Sequence, residues 1–340
     1  MKVGIIQSVQ PEIQRAEWGI TAPSKNVLLN PSFAIAQRGT SFSLATNGYI
    51  LDRWACFSSA DGGTAIAGTV AQAPFAVGSN SVPGSPRYGL RLQNTNQGAN
   101  LGVNSYLALS QLIESVRLFA GGTITISFYA QSSIASKRIV LELTQNFGSG
   151  GTPSTLVSVS RASFTLTNSW QKYTATFTVP SISGKVIGTN NNDSLGIGFY
   201  MSAGSGLDSR TGLTGGLTYG GIGTIDFANI QVEEGGLVTD FEWRSLNEEF
   251  ILCQRYLQII NASHRFIATA ANQYGSSSLY WMPMRNVPTT TNITTGTRST
   301  NLTSALIQNA TTNGGRFEVR SSAAGDCYAL GDRYLLDAEI

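Results

Sequence analysis

Along much of this chain apolar and polar residues alternate with a period of two. In Ile124-Thr125-Ile126-Ser127-Phe128-Tyr129-Ala130-Gln131, the side chains of Ile124, Ile126, Phe128 and Ala130 share one side. Tyr173, Ala175, Phe177 and Val179 repeat the pattern, as do Ile139, Leu141 and Leu143. Tyr88, Leu90 and Leu92 follow it too, and so do Ile197, Phe199 and Met201. Successive side chains of a strand point to opposite faces, so each segment predicts a strand with one apolar face. Strands of this kind pack as antiparallel sheets face to face. Turn-forming clusters such as Asp61-Gly62-Gly63, Gly148-Ser149-Gly150-Gly151 and Asn190-Asn191-Asn192-Asp193 separate the runs. Within this region only Leu107–Phe119 predicts a helix, because Leu109, Leu112, Ile113 and Val116 fall at helical spacing.

The pattern divides the chain into four parts. Residues 27–243 read as one large β-domain. Residues 244–259 read as a linker helix, with acids in its first turn and Leu246, Phe250, Cys253 and Leu257 on one stripe. Residues 260–340 return to β-like patterning, with strands expected at His264–Ala270, Ser278–Met284, Arg316–Arg320 and Tyr334–Ile340. A unit this small with few large apolar residues predicts burial by self-association. Phe250, Leu257 and Trp281 are the expected oligomer interface. Residues 1–26 read as an arm, in which Ile5, Ile6 and Trp18 are the expected attachment groups for another protein. The fold class expected is all-β: a β-sandwich, a short linker helix and a small C-terminal β-domain.

Composition narrows the function. The chain has 340 residues, 37 of them Gly, and only 12% are charged. That is about half the charged fraction of an average soluble domain. The net charge is +2, and no Lys/Arg cluster with interleaved aromatics marks a nucleic-acid surface. No apolar stretch approaches the roughly 20 residues of a membrane span, and the apolar run at residues 3–6 is too short for a secretory leader. Three cysteines, Cys56, Cys253 and Cys327, form neither a disulfide framework nor a zinc spacing and predict buried free thiols.

Catalytic constellations are not evident. His264 is the one histidine, and no Gly-x-Ser-x-Gly elbow accompanies it. Glu233 and Glu234 are adjacent on an expected strand and point apart, while Glu248 and Glu249 belong to the first turn of the expected helix. Asp52, Asp61, Asp193 and Asp208 sit in turn-like contexts. A ligand face is easier to place. On the alternation above, Arg91, Tyr129, Gln131, Glu142 and Tyr200 point away from the core. An aromatic ring among amides and charged groups suits a sugar, the ring covering its C–H face and the polar groups bonding its hydroxyls.

Two stretches carry a family resemblance. The first is Asn30-Pro31-Ser32-Phe33, Ala36-Gln37-Arg38-Gly39-Thr40-Ser41-Phe42 and Leu51-Asp52-Arg53-Trp54. The second is Ile225–Gly235, running through Thr239-Asp240-Phe241-Glu242-Trp243-Arg244 into Glu249–Tyr256. Together they resemble phage tail-fibre and related virion proteins built around a carbohydrate-binding-module-like jelly roll, and Leu336-Asp337-Ala338-Glu339-Ile340 resembles the ends of those proteins. The resemblance implies a two-sheet jelly roll in a homotrimer on the virion, assembled in the host cytoplasm and recognising a host-surface glycan or protein. The alternatives are a purely structural capsid decoration, head-fibre or collar protein, and a glycan-degrading tail enzyme. No cofactor is implied beyond a structural calcium near the terminal strands, for which Asp226 is the acid in place.

Overall fold

The structure, a computed structural model, describes residues 25–340. Ile5, Ile6 and Trp18 lie outside the described residues. Two compact units divide the chain near Ser245.

In chain order the strands of the large unit are β1 (Ser41–Ser43), β2 (Gly48–Tyr49), β3 (Ala55–Ser59), β4 (Ala67–Pro74), β5 (Tyr88–Asn96) and β6 (Tyr106–Glu114). They continue with β7 (Thr123–Ser132), β8 (Arg138–Asn146), β9 (Val157–Thr165), β10 (Gln171–Thr178), β11 (Ser194–Ala203) and β12 (Gly223–Glu234). One sheet has the order β1-β4-β5-β12-β7-β10 and the other β2-β3-β6-β11-β8-β9. The chain crosses repeatedly between the sheets, as from β5 to β6, β6 to β7 and β7 to β8, while β2-β3, β4-β5 and β8-β9 are hairpins within one sheet. The inward residues named from alternation meet between the sheets. Ile124, Ile126, Phe128, Ala130, Leu141, Leu143 and Phe199 are fully buried there, and Phe128 packs edge-on against Phe199 across the core with ring centroids 5.0 Å apart.

The expected helix at Leu107–Phe119 is instead strand β6. Leu107, Leu109 and Ile113 face the core, but the inward alternation is broken by Gln111. Its amide stays buried because it exchanges two 2.9 Å hydrogen bonds with the backbone of Leu29. Ala108 is buried on the outer face. A strand apolar on both faces mimics helical spacing.

The Asn-Pro-Ser-Phe and Asp-Arg-Trp residues form a structural knot at one end of the sandwich. Buried Asn30, with φ 53°, donates from its amide to the carbonyls of Ile35 (2.8 Å) and Asp52 (3.0 Å). Trp54 Nε1 donates to the Asn30 carbonyl at 2.9 Å, and its ring packs on Phe33. The left-handed backbone at residue 30 is one that Asn tolerates better than most side chains.

The second unit begins with a helix at Leu246–Gln254, shorter than the predicted 244–259. It buries Glu249 and Cys253 while Leu246 and Phe250 are exposed, so the expected apolar stripe is only half used. Its strands are β13 (Leu257–Ala268), β14 (Tyr274–Tyr280), β15 (Thr289–Thr294), β16 (Thr297–Arg298), β17 (Leu302–Gln308), β18 (Gly314–Ser321) and β19 (Gly325–Asp337). One sheet runs β13-β19-β15 with β16 on β19, and the other runs β14-β18-β17. Strands start earlier than expected because β13 and β19 pair over nearly their whole lengths. Two of the three expected interface residues are placed otherwise. Leu257 is fully buried and Trp281 packs in the core of this unit with Phe317, Val319 and Tyr334. Phe250 alone is surface-exposed, at 38%.

Asp332 is fully buried in this unit and accepts from Arg298 at 2.5 Å, the Gly296 N–H at 2.8 Å and Asn292 at 3.1 Å. Asp332→Ala strands all three donors, and the unit is expected to lose on the order of 2–4 kcal/mol. The resolved indole N–H signal of Trp281 in an NMR-monitored urea titration reads this loss, and an unchanged midpoint would refute it.

Candidate functional site

The outer face of the β2-β3-β6-β11-β8-β9 sheet carries a cleft of about 260 Å³. Its floor follows from strand register. Gly198 on β11 is paired with Ser110 on β6 and Glu142 on β8. One step along, Gly196 stands between Leu112 and Thr144. The two glycines are outward positions of the Leu195, Ile197 and Phe199 alternation, so the middle of the sheet is left without side chains. A Cβ at Gly198 would have no atom within 4 Å, whereas one at Gly196 would lie 2.5 Å from Thr144 Oγ1. The rim is apolar: Phe57 is 37% exposed and Leu156 49%, with Tyr106 half-buried beside them.

The polar end of the cleft is an ion pair. Glu142, 1% exposed, receives Nε (3.0 Å) and a terminal nitrogen (2.7 Å) of Arg210, and the Ser158 hydroxyl at 2.7 Å. Arg210 also lies over the Tyr200 ring, 5.7 Å from its centroid. Burial first, and the Glu142 charge second, push the Tyr200 phenol up, so it stays a neutral hydroxyl. Glu142 is thus a held carboxylate rather than a free acid or base. The second terminal nitrogen of Arg210, the Ser110 hydroxyl and the Asn146 amide N–H₂ have no partner among the described residues and border the cleft.

Arg210 comes from the β11–β12 connection, which holds a short 3₁₀ turn (Ser205–Leu207) followed by a one-turn helix, Asp208–Thr211. Asp208 accepts from the Gly215 and Gly216 N–H groups at 2.9 Å each, closing the loop on itself. Leu207 and Leu213 pack on Ala108, Val140 and Tyr200, which explains why the outer face of this sheet is apolar there. Lys137 anchors the return of the loop. Its ammonium donates to the carbonyls of Met201 (2.6 Å), Tyr219 (2.7 Å) and Thr218 (3.0 Å), and sits 4.7 Å from the Tyr219 ring centroid. Burial pushes Lys137 down to about 7.

The five expected ligand-face residues do not share one face. Glu142 and Tyr200 border the cleft, on β8 and β11. Arg91, Tyr129 and Gln131 stand on β5 and β7 of the other sheet, across the sandwich. Alternation sets which side of its strand a residue takes, but which sheet each strand joins is decided by crossovers that alternation does not encode. Ser110, Gly196, Gly198 and Arg210 were missed. The signal for the glycines was present, since Gly at 196 and 198 marks a bare outer row on a strand whose inner row is apolar.

Asp226 forms an ion pair. It takes both Arg91 Nε (2.7 Å) and an Arg91 terminal nitrogen (2.9 Å), together with Gln131 Nε2 at 2.9 Å. A calcium there would have to displace a guanidinium. Among the described residues no group of three or more His, Cys, Asp or Glu is arranged to hold a metal ion. The other acids and the histidine serve the scaffold. Glu233 accepts the Thr239 N–H and hydroxyl, Asp193 holds Ser115 and Val116, and Asp61 takes the Asn104 N–H. His264 Nδ1 is 2.7 Å from the Ser277 hydroxyl, which lies 3.3 Å from the Ser263 carbonyl, so ring and hydroxyl tie β13 to β14. All three cysteines are buried and none forms a disulfide, and burial pushes the Cys56 thiol up to about 12.

Residues 108–194 match the family described as "Carbohydrate binding domain", a segment that includes the cleft residues Ser110, Leu112, Glu142 and Thr144. No curated protein matches. Among solved structures, one titled "CBM4 structure and function" is 18% identical, with 62% of this chain and 100% of that one covered and a TM-score of 0.33. A putative sugar binding protein from Bacteroides thetaiotaomicron is 14% identical over 62% of this chain and 100% of its own, at a TM-score of 0.33. The enzymatically active domain of bacteriophage CBA120 tailspike protein 4 is 11% identical over 63% of this chain but 22% of its own, at a TM-score of 0.36. The large unit of this chain is a two-sheet jelly roll similar to carbohydrate-binding modules, followed by small C-terminal sheets.

Proposed function

We propose that the large unit is a non-catalytic glycan-binding domain that lays a saccharide chain across the bare glycine row at Gly196 and Gly198. The carrying observation is the cleft itself: an open strip of backbone, an apolar rim for sugar C–H faces, and unpaired donors at Arg210, Ser110 and Asn146 for hydroxyls. The match of residues 108–194 to a carbohydrate binding domain supports the same reading. Glu142 has its oxygens occupied, which argues against a hydrolytic pair of carboxylates.

The test is calorimetric titration with a panel of soluble plant, bacterial and algal polysaccharides. Gly198→Trp is the informative variant, because a Cβ there meets nothing and the indole enters the cleft. Wild type is expected to bind at least one polysaccharide, and Gly198→Trp to lose that binding more than tenfold with an unchanged melting temperature. Binding unaffected by Gly198→Trp refutes the cleft. Release of oligosaccharides from a bound polysaccharide refutes the non-catalytic reading.

On the resemblance of residues 30–54 and 225–256 to tail-fibre proteins, the biological setting proposed is a virion fibre that recognises a host-surface glycan as a homotrimer. Large apolar side chains on the second unit support self-association, among them Tyr280 at 85% exposure and Ile267 at 69%. Light scattering of the purified chain is expected to give the mass of three copies, and a monomer would refute it. Electron microscopy of particles carrying the tagged protein locates it at a tail tip for recognition, or on the capsid for the decoration reading.

A further inference from the structure

The opposite sheet of the large unit carries a second constructed cavity, independent of the cleft. Register places Arg91, Asp226 and Gln131 side by side across β5, β12 and β7. Gln171 pairs with Ala130, so Trp170 falls level with Gln131 at the end of the same row. From the other side, the chain leaving β4 brings Phe75 over the row until its ring lies 5.3 Å from that of Trp170, tilted by 37°. Gly89 makes room for this. A Cβ there would come within 2.7 Å of the Phe227 carbonyl and 3.3 Å of the Phe75 ring. The result is a cavity of about 140 Å³ with an aromatic wall and a polar floor.

We infer that this cavity is a binding pocket for a single neutral pyranose ring, such as the terminal or branch sugar of a glycan. Three features select that chemistry. The floor is charge-neutral, because Asp226, 4% exposed, is fully engaged by the Arg91 fork and the Gln131 amide. An anionic or cationic ligand therefore finds no net counter-charge. The Arg91 side chain remains 46% exposed, and its second terminal nitrogen and the Gln131 carbonyl oxygen have no partner among the described residues. One donor on β5 and one acceptor on β7 flank Asp226 and can bond hydroxyls at different positions of one sugar ring, and the ion pair holds both without further ordering on binding. Phe75 and Trp170 are each half-buried, leaving ring surface for the C–H face of the sugar. The volume admits one ring, so the pocket takes a chain end, whereas the cleft runs along a chain.

The experiment is saturation-transfer NMR on the full chain with methyl pyranosides of glucose, galactose, mannose and N-acetylglucosamine. At least one is expected to bind wild type in the millimolar range. The same signal is expected to persist in Gly198→Trp, and to fall at least tenfold in both Trp170→Ala and Gln131→Leu. Gln131→Leu removes only polar groups, so it decides the matter if Trp170→Ala fails to fold. The inference is overturned if no pyranoside binds wild type, if Gln131→Leu binds as wild type does, or if Gly198→Trp abolishes the signal. Failure of the cleft to bind polysaccharide leaves this result unchanged, so the two readings fall separately.

Discussion

Lys137→Met is expected to lower the unfolding free energy of the large unit by on the order of 2–4 kcal/mol and to weaken polysaccharide binding at the cleft. The ammonium supplies all three of its protons to carbonyls of Met201, Thr218 and Tyr219. Hydrogen bonds contribute about 0.5–1.5 kcal/mol each, and buried carbonyls left without a donor cost about 1–3 kcal/mol; the loss is largest above pH 7, where the amine is neutral and the cost of burying its charge is gone. Methionine has similar length but no donor, so three carbonyls that leave β11 and enter β12 lose their partner. The connection between them carries Arg210, so the effect should reach the cleft.

Lys137 also makes the stability of the large unit depend on pH. An unfolded lysine titrates near 10.4, and burial lowers the folded value to about 7. Between those values the unfolded chain holds more protons than the folded one, so stability rises with pH across that window. The cost of burying the charge is therefore fully present below pH 7 and relieved above it. Urea titrations at pH 7 and pH 9.5 should show wild type gaining stability relative to Lys137→Met at the higher pH. A parallel response of the two proteins would sink the assignment.

The second large effect concerns the ion pair at the end of the cleft, and it is asymmetric. Arg210→Met should cost more than Glu142→Met. Removing Arg210 leaves a carboxylate that is 2% exposed with only the hydroxyls of Ser158 and Tyr200 to bond it, whereas removing Glu142 leaves a guanidinium already 38% exposed that can turn to water. Breaking a fully buried pair typically costs 3–5 kcal/mol. With one partner partly solvated, about 2 kcal/mol is the reasonable scale for Arg210→Met. The double variant should be closer to Glu142→Met than to the sum, because neither charge is then stranded. A strictly additive cycle would mean that the two groups do not sense each other. Polysaccharide affinity should fall at least tenfold in Arg210→Met.

The sequence by itself determined the layers of this protein. Period-two runs such as Ile124–Ala130 and Ile197–Met201 admit one arrangement, because an apolar row on one side of a strand must be buried against another layer. Burial of the cysteines followed from residue type. Three things were decided only by the tertiary structure. Strand β6 was masked because Gln111 occupies an inward position, and a polar residue is tolerated there only when a distant backbone, that of Leu29, satisfies it. Leu257 is buried because β13 and β19 pair over nearly their whole lengths, and Trp281 because the chain leaving β14 meets the segment before β18 and packs with Phe317 and Tyr334, long-range matches that local pattern does not carry. The ligand face divided into a cleft and a pocket for the same reason. Alternation states that Arg91, Gln131, Glu142 and Tyr200 all point outward. Only the crossovers between sheets determine that two point one way and two the other, and only the fold of the β11–β12 connection brings Arg210 over Glu142.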